Sequence, residues 1–248
     1  HMLIGNHEEM NITGIAFDFE GYITVEQFLA FLPKQYIEKK EKGIKKEFEK
    51  SSKKNRSSQT DIERNIRETW GKIIKEDKEA QLAYLTNFNK KYGKWIMEQN
   101  AIIKINDIIF VHGGIDEEFS GWQLKEINDR LRKELKLMFR IRKEPQLFET
   151  MDVFKIIYNN KGPLWYRDLA RSNEELMQAE VERILHNLNA EYIVIGHTPL
   201  HGNSISGHIR HRFQGRIWVI DTGISEHYGN NLSALIIEKG EFFPWGDN

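Results

Sequence analysis

The chain has 248 residues, of which 40% are hydrophobic, so it is long and apolar enough to bury a core as one globular domain. With a formal net charge of −1, the chain has no overall electrostatic attraction to nucleic acid or membranes, and we expect neither as a partner. The absence of cysteine excludes disulfides and thiolate metal sites, and it fits a reducing, cytoplasmic location.

Four apolar runs along the chain end in glycine-containing turns. They are LIGNHE at residues 3–8, IIFVHGG at 108–114, YIVIGHTP at 192–199 and IWVIDTG at 217–223. Such runs are typical of buried strands whose carboxyl ends present side chains to a crevice outside the sheet. Because three of the runs carry a histidine close to a glycine, we expect the imidazoles to converge on one point.

Between the first two runs, residues 24–95 have a mainly helical pattern, with Thr24 and Gln27 placed as in a capping box. The lysine-rich residues 39–56 indicate either a basic patch for acidic partners or a solvated helix face followed by a linker. Interleaved glutamates favour the solvated helix. Helical periodicity resumes over residues 61–92. We predict that residues 24–95 form a helical insertion between two strands.

The rest of the chain mixes strands and helices. Asn106 and Asp107 predict a tight hairpin turn between two apolar runs. Amphipathic helices are predicted at residues 124–139 and 173–188, and short strands at 208–213, 216–220, 233–238 and 241–243. This order of elements predicts an α/β fold with α+β layering.

Asn6, His112 and His197 offer neutral oxygen and nitrogen ligands that suit divalent transition metals. They follow separate predicted strands, so only the fold can bring them together. Each histidine alone is more often structural, but their equivalent positions favour one shared metal site. His7 is next to Asn6 and would point elsewhere, which makes it a candidate general acid.

Arg167 ends the compact loop GPLWYR at residues 162–167. Its planar guanidinium has the geometry to bind a phosphate through two hydrogen bonds. A surface salt bridge to Asp168 or to a glutamate is the alternative, and the loop alone favours neither.

Three blocks together resemble the later signature blocks of the calcineurin-like metallophosphoesterases. They are GNHE at residues 5–8, VHGG at 111–114 and GHTP at 196–199, and the fit is closest to the phosphoprotein phosphatase branch. Three more blocks, YITVEQF at 22–28, GPLWYR at 162–167 and IDTGIS at 220–225, resemble the Shewanella-like protein phosphatases. That subfamily also has a helical insertion after its GNHE block. The resemblance covers essentially the whole chain.

This resemblance implies a calcineurin-like β-sandwich flanked by helices and a centre of two divalent metal ions, usually manganese, iron or zinc. Asn6, His112 and His197 would ligate the second ion. His7 would protonate the leaving oxygen, and Arg167 would hold the substrate phosphate. The family hydrolyses its substrate directly with a metal-activated water.

The family's two earlier blocks, GDxHG and GDxxDRG, do not occur in the 248 residues. In the family they supply the ligands of the first metal, the bridging aspartate and a further arginine. We therefore expect residues 1–248 to be the C-terminal portion of a single metallophosphoesterase domain, without its N-terminal strands. At most one partial metal site is expected, and the chain alone is expected to be inactive.

The leading hypothesis is a metal-dependent phosphomonoesterase that acts on a phosphorylated protein or a small phosphate ester. A dinucleoside polyphosphate hydrolase shares the GNHE block, but the HGG block and the GPLWYR loop weigh against it. A non-catalytic binding or regulatory module of the same fold is the third possibility, and the intact Asn6, His7, His112 and His197 argue against it. Tyr228 is expected beside the site, near the substrate.

Overall fold

Five strands form one mixed sheet in the computed structural model, which describes residues 1–51, 58–144, 156–199 and 208–246. The strands are β1 (Ile102–Ile105), β2 (Ile108–Val111), β3 (Tyr192–Ile195), β4 (Arg210–Arg212) and β5 (Ile217–Val219). Their order is β1-β2-β3-β5-β4, with β2, β3 and β5 parallel and the two outer strands antiparallel to their neighbours. The carboxyl ends of the three central strands therefore meet at one edge of the sheet.

The central strands coincide with the predicted apolar runs. Ile109 pairs with Ile193, Val111 pairs with Ile195, and all four side chains are almost completely buried. Because these strands are covered on both faces, their sequences are continuously apolar rather than alternating. The predicted hairpin between β1 and β2 is also confirmed, since Asn106 adopts a left-handed backbone conformation in the turn.

The first apolar run forms much less strand than its sequence predicts. Leu3 makes an isolated parallel bridge to Asn100, and the Ile4 amide donates to the Asn100 carbonyl at 2.9 Å. Helix α1 (Asn6–Thr13) begins directly after Gly5. Asn6, which follows this run, therefore lies in the first turn of a helix and not in a loop.

A hairpin of two further strands, β6 (Ser233–Glu238) and β7 (Glu241–Gly246), adds a second layer. Its inward side chains pack on the sheet residues Ile108, Val194 and Trp218. The Phe242 ring stacks on the Trp218 indole at 4.8 Å. The described residues thus form a mixed α/β arrangement with a sheet flanked by helices. The full calcineurin-like sandwich and its missing strands stay predictions.

The chain divides into two compact units. The first unit comprises His1–Asn6, Met97–Leu137 and Glu149–Asn248, and the second comprises His7–Ile96 and Met138–Phe148. Besides its strands, the first unit contains helices α7 (Glu117–Ser120), α9 (Asp168–Arg171) and α10 (Glu174–Asn187). Helix α8 (Leu124–Lys143) includes residues of both units. The Asn128 side chain of α8 accepts from the Ala101 and Ile102 amides and donates to the Ile102 carbonyl.

The second unit is helical in the part that the structure describes. Besides α1, its helices are α2 (Val25–Leu29), α3 (Lys34–Ser51), α4 (Gln59–Glu76), α5 (Lys78–Phe88) and α6 (Lys94–Ile96), with a π-helical turn at Asn89–Gly93. The Thr24 hydroxyl accepts from the Gln27 amide, as predicted for the start of α2. The lysine-rich residues up to 51 lie on α3, and residues 52–57 lie outside the described part. The boundaries of the insertion, 24–95, stay a prediction.

The helical pattern predicted over residues 61–92 is interrupted at Asp77. This residue ends α4, and its side-chain oxygen accepts from the Ala80 amide, so it also caps α5. Among the described helices, none combines the length and apolar character needed to cross a bilayer.

Candidate metal and phosphate site

Three predicted ligands meet in the first unit. Asn6 Oδ1 lies 2.9 Å from His112 Nε2 and 3.1 Å from His197 Nδ1, and the two histidine nitrogens are 3.0 Å apart. The Asn6 side chain is buried, and both histidines are half-buried. We call these three residues the donor triangle. The structure therefore brings together residues that are 106 and 85 positions apart in the chain.

Strand register explains why the two histidines are neighbours. His112 follows β2 and His197 comes two residues after β3, and these parallel strands pair Val111 with Ile195. The Gly196 amide donates to the His112 carbonyl at 2.9 Å, which extends the pairing past the strand ends. The imidazole rings then lie 4.8 Å apart.

His197 has a left-handed backbone conformation, with φ at +63°. Such a conformation is uncommon for a residue with a side chain, and it persists only where neighbouring structure enforces it. Here the Thr198 amide closes the turn by donating to the Gly196 carbonyl at 2.7 Å. The backbone strain thus lies at the residue that aims an imidazole at Asn6 and His112.

The glycines after His112 allow two loops to touch through their backbones. The Gly113 amide donates to the Pro163 carbonyl at 2.8 Å. A Cβ atom at Gly113 would lie 3.0 Å from the Leu164 carbonyl carbon and 3.1 Å from the Trp165 nitrogen. Only glycine fits at this distance without movement of the main chain. The HGG block and the GPLWYR loop are therefore in close backbone contact.

Arg167 is held beside the donor triangle. Its Nη1 donates to the His197 carbonyl at 3.1 Å and to Thr198 Oγ1 at 3.3 Å. The Trp165 indole meets the His197 ring edge to face at 5.9 Å and donates to the Ile157 carbonyl. These contacts fix the guanidinium next to the turn that carries the second imidazole.

A cavity of about 580 Å³ adjoins Arg167. Aromatic and charged side chains share its wall: Asp116, Tyr158, Lys161, Trp165, Tyr166, Asp168 and Arg171. Burial is the main cause that raises the pKa of the Tyr166 hydroxyl, with the nearby Glu180 carboxylate adding to it. Tyr166 is therefore protonated at neutral pH and donates to Glu180 Oε1 at 3.3 Å.

Sequence reasoning missed Glu134, a fully buried carboxylate of α8. Its Oε2 accepts from the Ile156 and Ile157 amides at 3.0 and 3.1 Å, and its Oε1 accepts from Arg130 Nε at 2.7 Å. Because Ile157 in turn receives the Trp165 indole hydrogen bond, Glu134 supports the loop that ends in Arg167. Its position in the sequence did indicate burial, because Glu134 comes seven residues after Ile127 and so lies on the apolar stripe of the helix.

The other two predicted site residues, His7 and Tyr228, have surroundings of their own. His7 is exposed on α1 in the second unit, where its ring stacks on the Tyr22 ring at 5.1 Å with an interplanar angle of 26°. Tyr228 ends a short 3₁₀ turn, Glu226–Tyr228, and its side chain is 44% exposed. The roles predicted for both residues stay predictions.

The donor triangle fits one metal ion. Ligands about 2.0–2.2 Å from an ion and at right angles to one another, as in octahedral coordination, lie roughly 3 Å apart, which is the spacing observed. The set is neutral, however, and among the described residues no group of three histidine, cysteine, aspartate or glutamate side chains is placed to hold a metal. A metal site at the donor triangle therefore stays a prediction.

No protein-family model matches the chain. An uncharacterized protein of Schizosaccharomyces pombe is 34% identical over 133 residues, which cover 53% of this chain and 36% of that protein. Shewanella-like protein phosphatase 1 of Plasmodium berghei is 27% identical over 172 residues, which cover 62% of this chain and 44% of the phosphatase. The predicted resemblance to the Shewanella-like protein phosphatases is confirmed.

One solved structure has a similar fold. A cold-active protein tyrosine phosphatase superposes with a TM-score of 0.58 and 20% identity over 98% of this chain and 54% of its own. At this identity the likeness concerns the fold alone. The chain spans less than half the length of the two curated relatives and about half of the solved phosphatase.

Proposed function

We propose that the chain belongs to a metal-dependent phosphomonoesterase that acts on phosphorylated proteins. The observation that carries the proposal is the donor triangle, with Arg167 hydrogen-bonded to the turn that holds one of its members. Metal-suited donors and a phosphate-binding cation are two elements that metal-assisted phosphoryl transfer uses. The similarity to a protein phosphatase supports the substrate class.

Hydrogen bonding alone does not account for the donor triangle. The Asn6 oxygen accepts from both histidines only if each imidazole carries its proton on the inward nitrogen. Those two N–H groups would then face each other at 3.0 Å. With one of these protons removed, one of the two contacts to Asn6 loses its donor. A cation at the centre satisfies all three lone pairs at once, and this supports a metal site.

In the proposed reaction Asn6, His112 and His197 hold an ion of manganese, iron or zinc. When bound, a pair of such ions supplies an activated water at neutral pH and neutralises the phosphoryl group. Arg167 orients that group with its planar fork. His7, the residue after Asn6, donates a proton to the leaving oxygen.

Carboxylates that neutralise and bridge two cations are absent from the donor triangle. In the family these ligands come from the GDxHG and GDxxDRG blocks, which the 248 residues lack. We therefore propose that this chain contributes a partial site and that turnover requires those blocks as well. A cytoplasmic location and Tyr228 as a substrate contact remain part of the same proposal.

Hydrolysis of p-nitrophenyl phosphate with added Mn²⁺ tests the function. We would compare the 248-residue chain with a fusion in which a segment carrying both family blocks precedes Leu3. The proposal expects turnover in the fusion only, and its loss in fusions carrying His112→Ala or Arg167→Ala. His186→Ala, at an exposed position of α10, is the control and should keep full activity.

Each outcome has a distinct meaning. Turnover by the chain alone that survives His112→Ala would contradict the proposed site. An inactive fusion that still binds Mn²⁺ through the donor triangle would favour the non-catalytic binding module instead. Phosphopeptides assayed beside the nitrophenyl ester establish whether proteins are the substrates.

A further inference from the structure

The block YITVEQF at residues 22–28 has no role in the chemistry described so far, although it is part of the resemblance. In the second unit, two side chains of this block contact residues of α1, the helix that carries His7. Tyr22 contacts the His7 ring directly, and Gln27 is linked to the His7 carbonyl through Asn11.

The first contact is the ring stack. The Tyr22 and His7 centroids are 5.1 Å apart and their planes differ by 26°. Tyr22 is 40% exposed, and Phe19 packs against its ring at 5.6 Å. Because both partners of the stack reach solvent, core packing does not require it. Its evident consequence is to restrict the orientation of the imidazole.

The second contact is a closed hydrogen-bond network. Asn11 Nδ2 donates to the His7 carbonyl at 2.9 Å, and Asn11 Oδ1 accepts from Gln27 Nε2 and from the Tyr84 hydroxyl, each at 2.9 Å. Gln27 Nε2 also donates to the Tyr84 hydroxyl at 2.7 Å. Tyr84 is fully buried, and burial raises its pKa to about 12, so it stays a donor at neutral pH.

We propose that Tyr22 is a positioning residue for His7, and that Gln27 and Tyr84 support it by fixing Asn11 against the His7 carbonyl. The stack sets the direction of the ring and the network sets the place of its backbone. This inference rests on the proposed function of His7 as the group that protonates the leaving oxygen. It also gives the helical unit a part in catalysis, since Gln27 and Tyr84 lie on α2 and α5.

A spectroscopic test needs no turnover. The histidine ring resonances of the 248-residue chain would be recorded at one fixed pH, with His7 assigned from His7→Gln. Tyr22→Leu should move the His7 signals towards those of a freely rotating imidazole, because the aromatic ring current is lost. Tyr22→Phe should restore them. Tyr92→Leu, which removes another exposed tyrosine of the same unit, should leave them unchanged.

A kinetic test uses the active fusion described above. Tyr22→Leu should lower kcat for an alkyl phosphate roughly tenfold with KM unchanged, a part of the roughly 10²- to 10⁴-fold that a general acid supplies. The activated nitrophenyl ester should lose less, because its leaving group needs little protonation. In His7→Gln the further change Tyr22→Leu should have no effect.

Two results would overturn the proposal: His7 resonances that do not respond to Tyr22→Leu, or kinetic losses that add in the double variant. Failure of the proposed function has a different signature. In that case His7→Gln itself leaves turnover unchanged, while the resonances still report the stack.

Discussion

The two compact units hold their important side chains in different ways. In the first unit the donor triangle depends on strand register and on loops that touch backbone to backbone, as Gly113 shows against Pro163 and Leu164. In the second unit His7 depends on side chains, namely a ring stack and an amide–hydroxyl network. Backbone contacts leave little room for substitution, whereas side-chain contacts can be removed one at a time. The first unit should therefore respond to mutation more sharply than the second.

The largest expected effect is at Glu134, which supports the loop of Arg167. Glu134→Ala leaves two buried amides without their acceptor and should lower the free energy of unfolding by about 3 kcal/mol. Urea denaturation measures this loss. Lys136→Ala, on the exposed side of the same helix, should change stability by less than about 0.5 kcal/mol. Equal effects of the two substitutions would show that the carboxylate has no special role.

Gly113→Ala should come next. Its new methyl group would meet the backbone of Leu164 and Trp165 at 3.0 to 3.1 Å, so one of the two loops must move. We expect a loss of about 1–3 kcal/mol in the free energy of unfolding, together with weaker Mn²⁺ binding. Gly196→Ala is the matched control, because its nearest contact would be the His112 carbonyl at an ordinary 3.6 Å. A Gly113→Ala variant as stable as the wild-type chain would contradict the claim that this close backbone contact leaves no room for a side chain.

Asp77 tests the second unit. Asp77→Ala removes the N-cap of α5 and should cost about 1 kcal/mol at pH 7. The Ala80 amide, followed by Lys40 and Tyr36, lowers the pKa of the Asp77 carboxyl. A lowered pKa stabilises the fold above the unfolded value of about 3.9, and this contribution is lost as pH falls through the folded pKa. The difference between variant and wild type should thus shrink in acid, and a constant difference would contradict the assignment.

The smallest effect should have the opposite sign. Gly43 lies within α3, and a Cβ atom there would meet nothing within 4 Å. Gly43→Ala should therefore raise the free energy of unfolding by about 0.5–1 kcal/mol, through the gain in helix propensity. Thermal unfolding followed by circular dichroism measures it. A loss of stability would mean that glycines in the helical unit are as constrained as Gly113.

The same contrast explains which features could be predicted from the sequence. The apolar runs of β2 and β3 are buried on both faces, so their pattern alone located them and the histidines at their ends. Local turn chemistry likewise located the Asn106 hairpin. These features depend on contacts between neighbours in the chain or in the sheet.

The features that were missed depend on tertiary partners. The run at Leu3 is shorter than the other apolar runs, and among the described residues it pairs with Asn100 alone, so it stays a single bridge. Asp77 interrupts a helical period because its carboxylate caps a new helix, which a hydrophobic pattern does not register. Glu134 can be buried because Arg130 and two backbone amides donate hydrogen bonds to its carboxylate.

The central claim is that Asn6, His112 and His197 form a metal site, and titration of the purified 248-residue chain with Mn²⁺ tests it most directly. Calorimetry should give one ion per chain, with binding lost in His112→Ala and in His197→Ala and kept in His186→Ala. Binding that is equally strong in all three variants, or absent from the wild-type chain, would contradict the account.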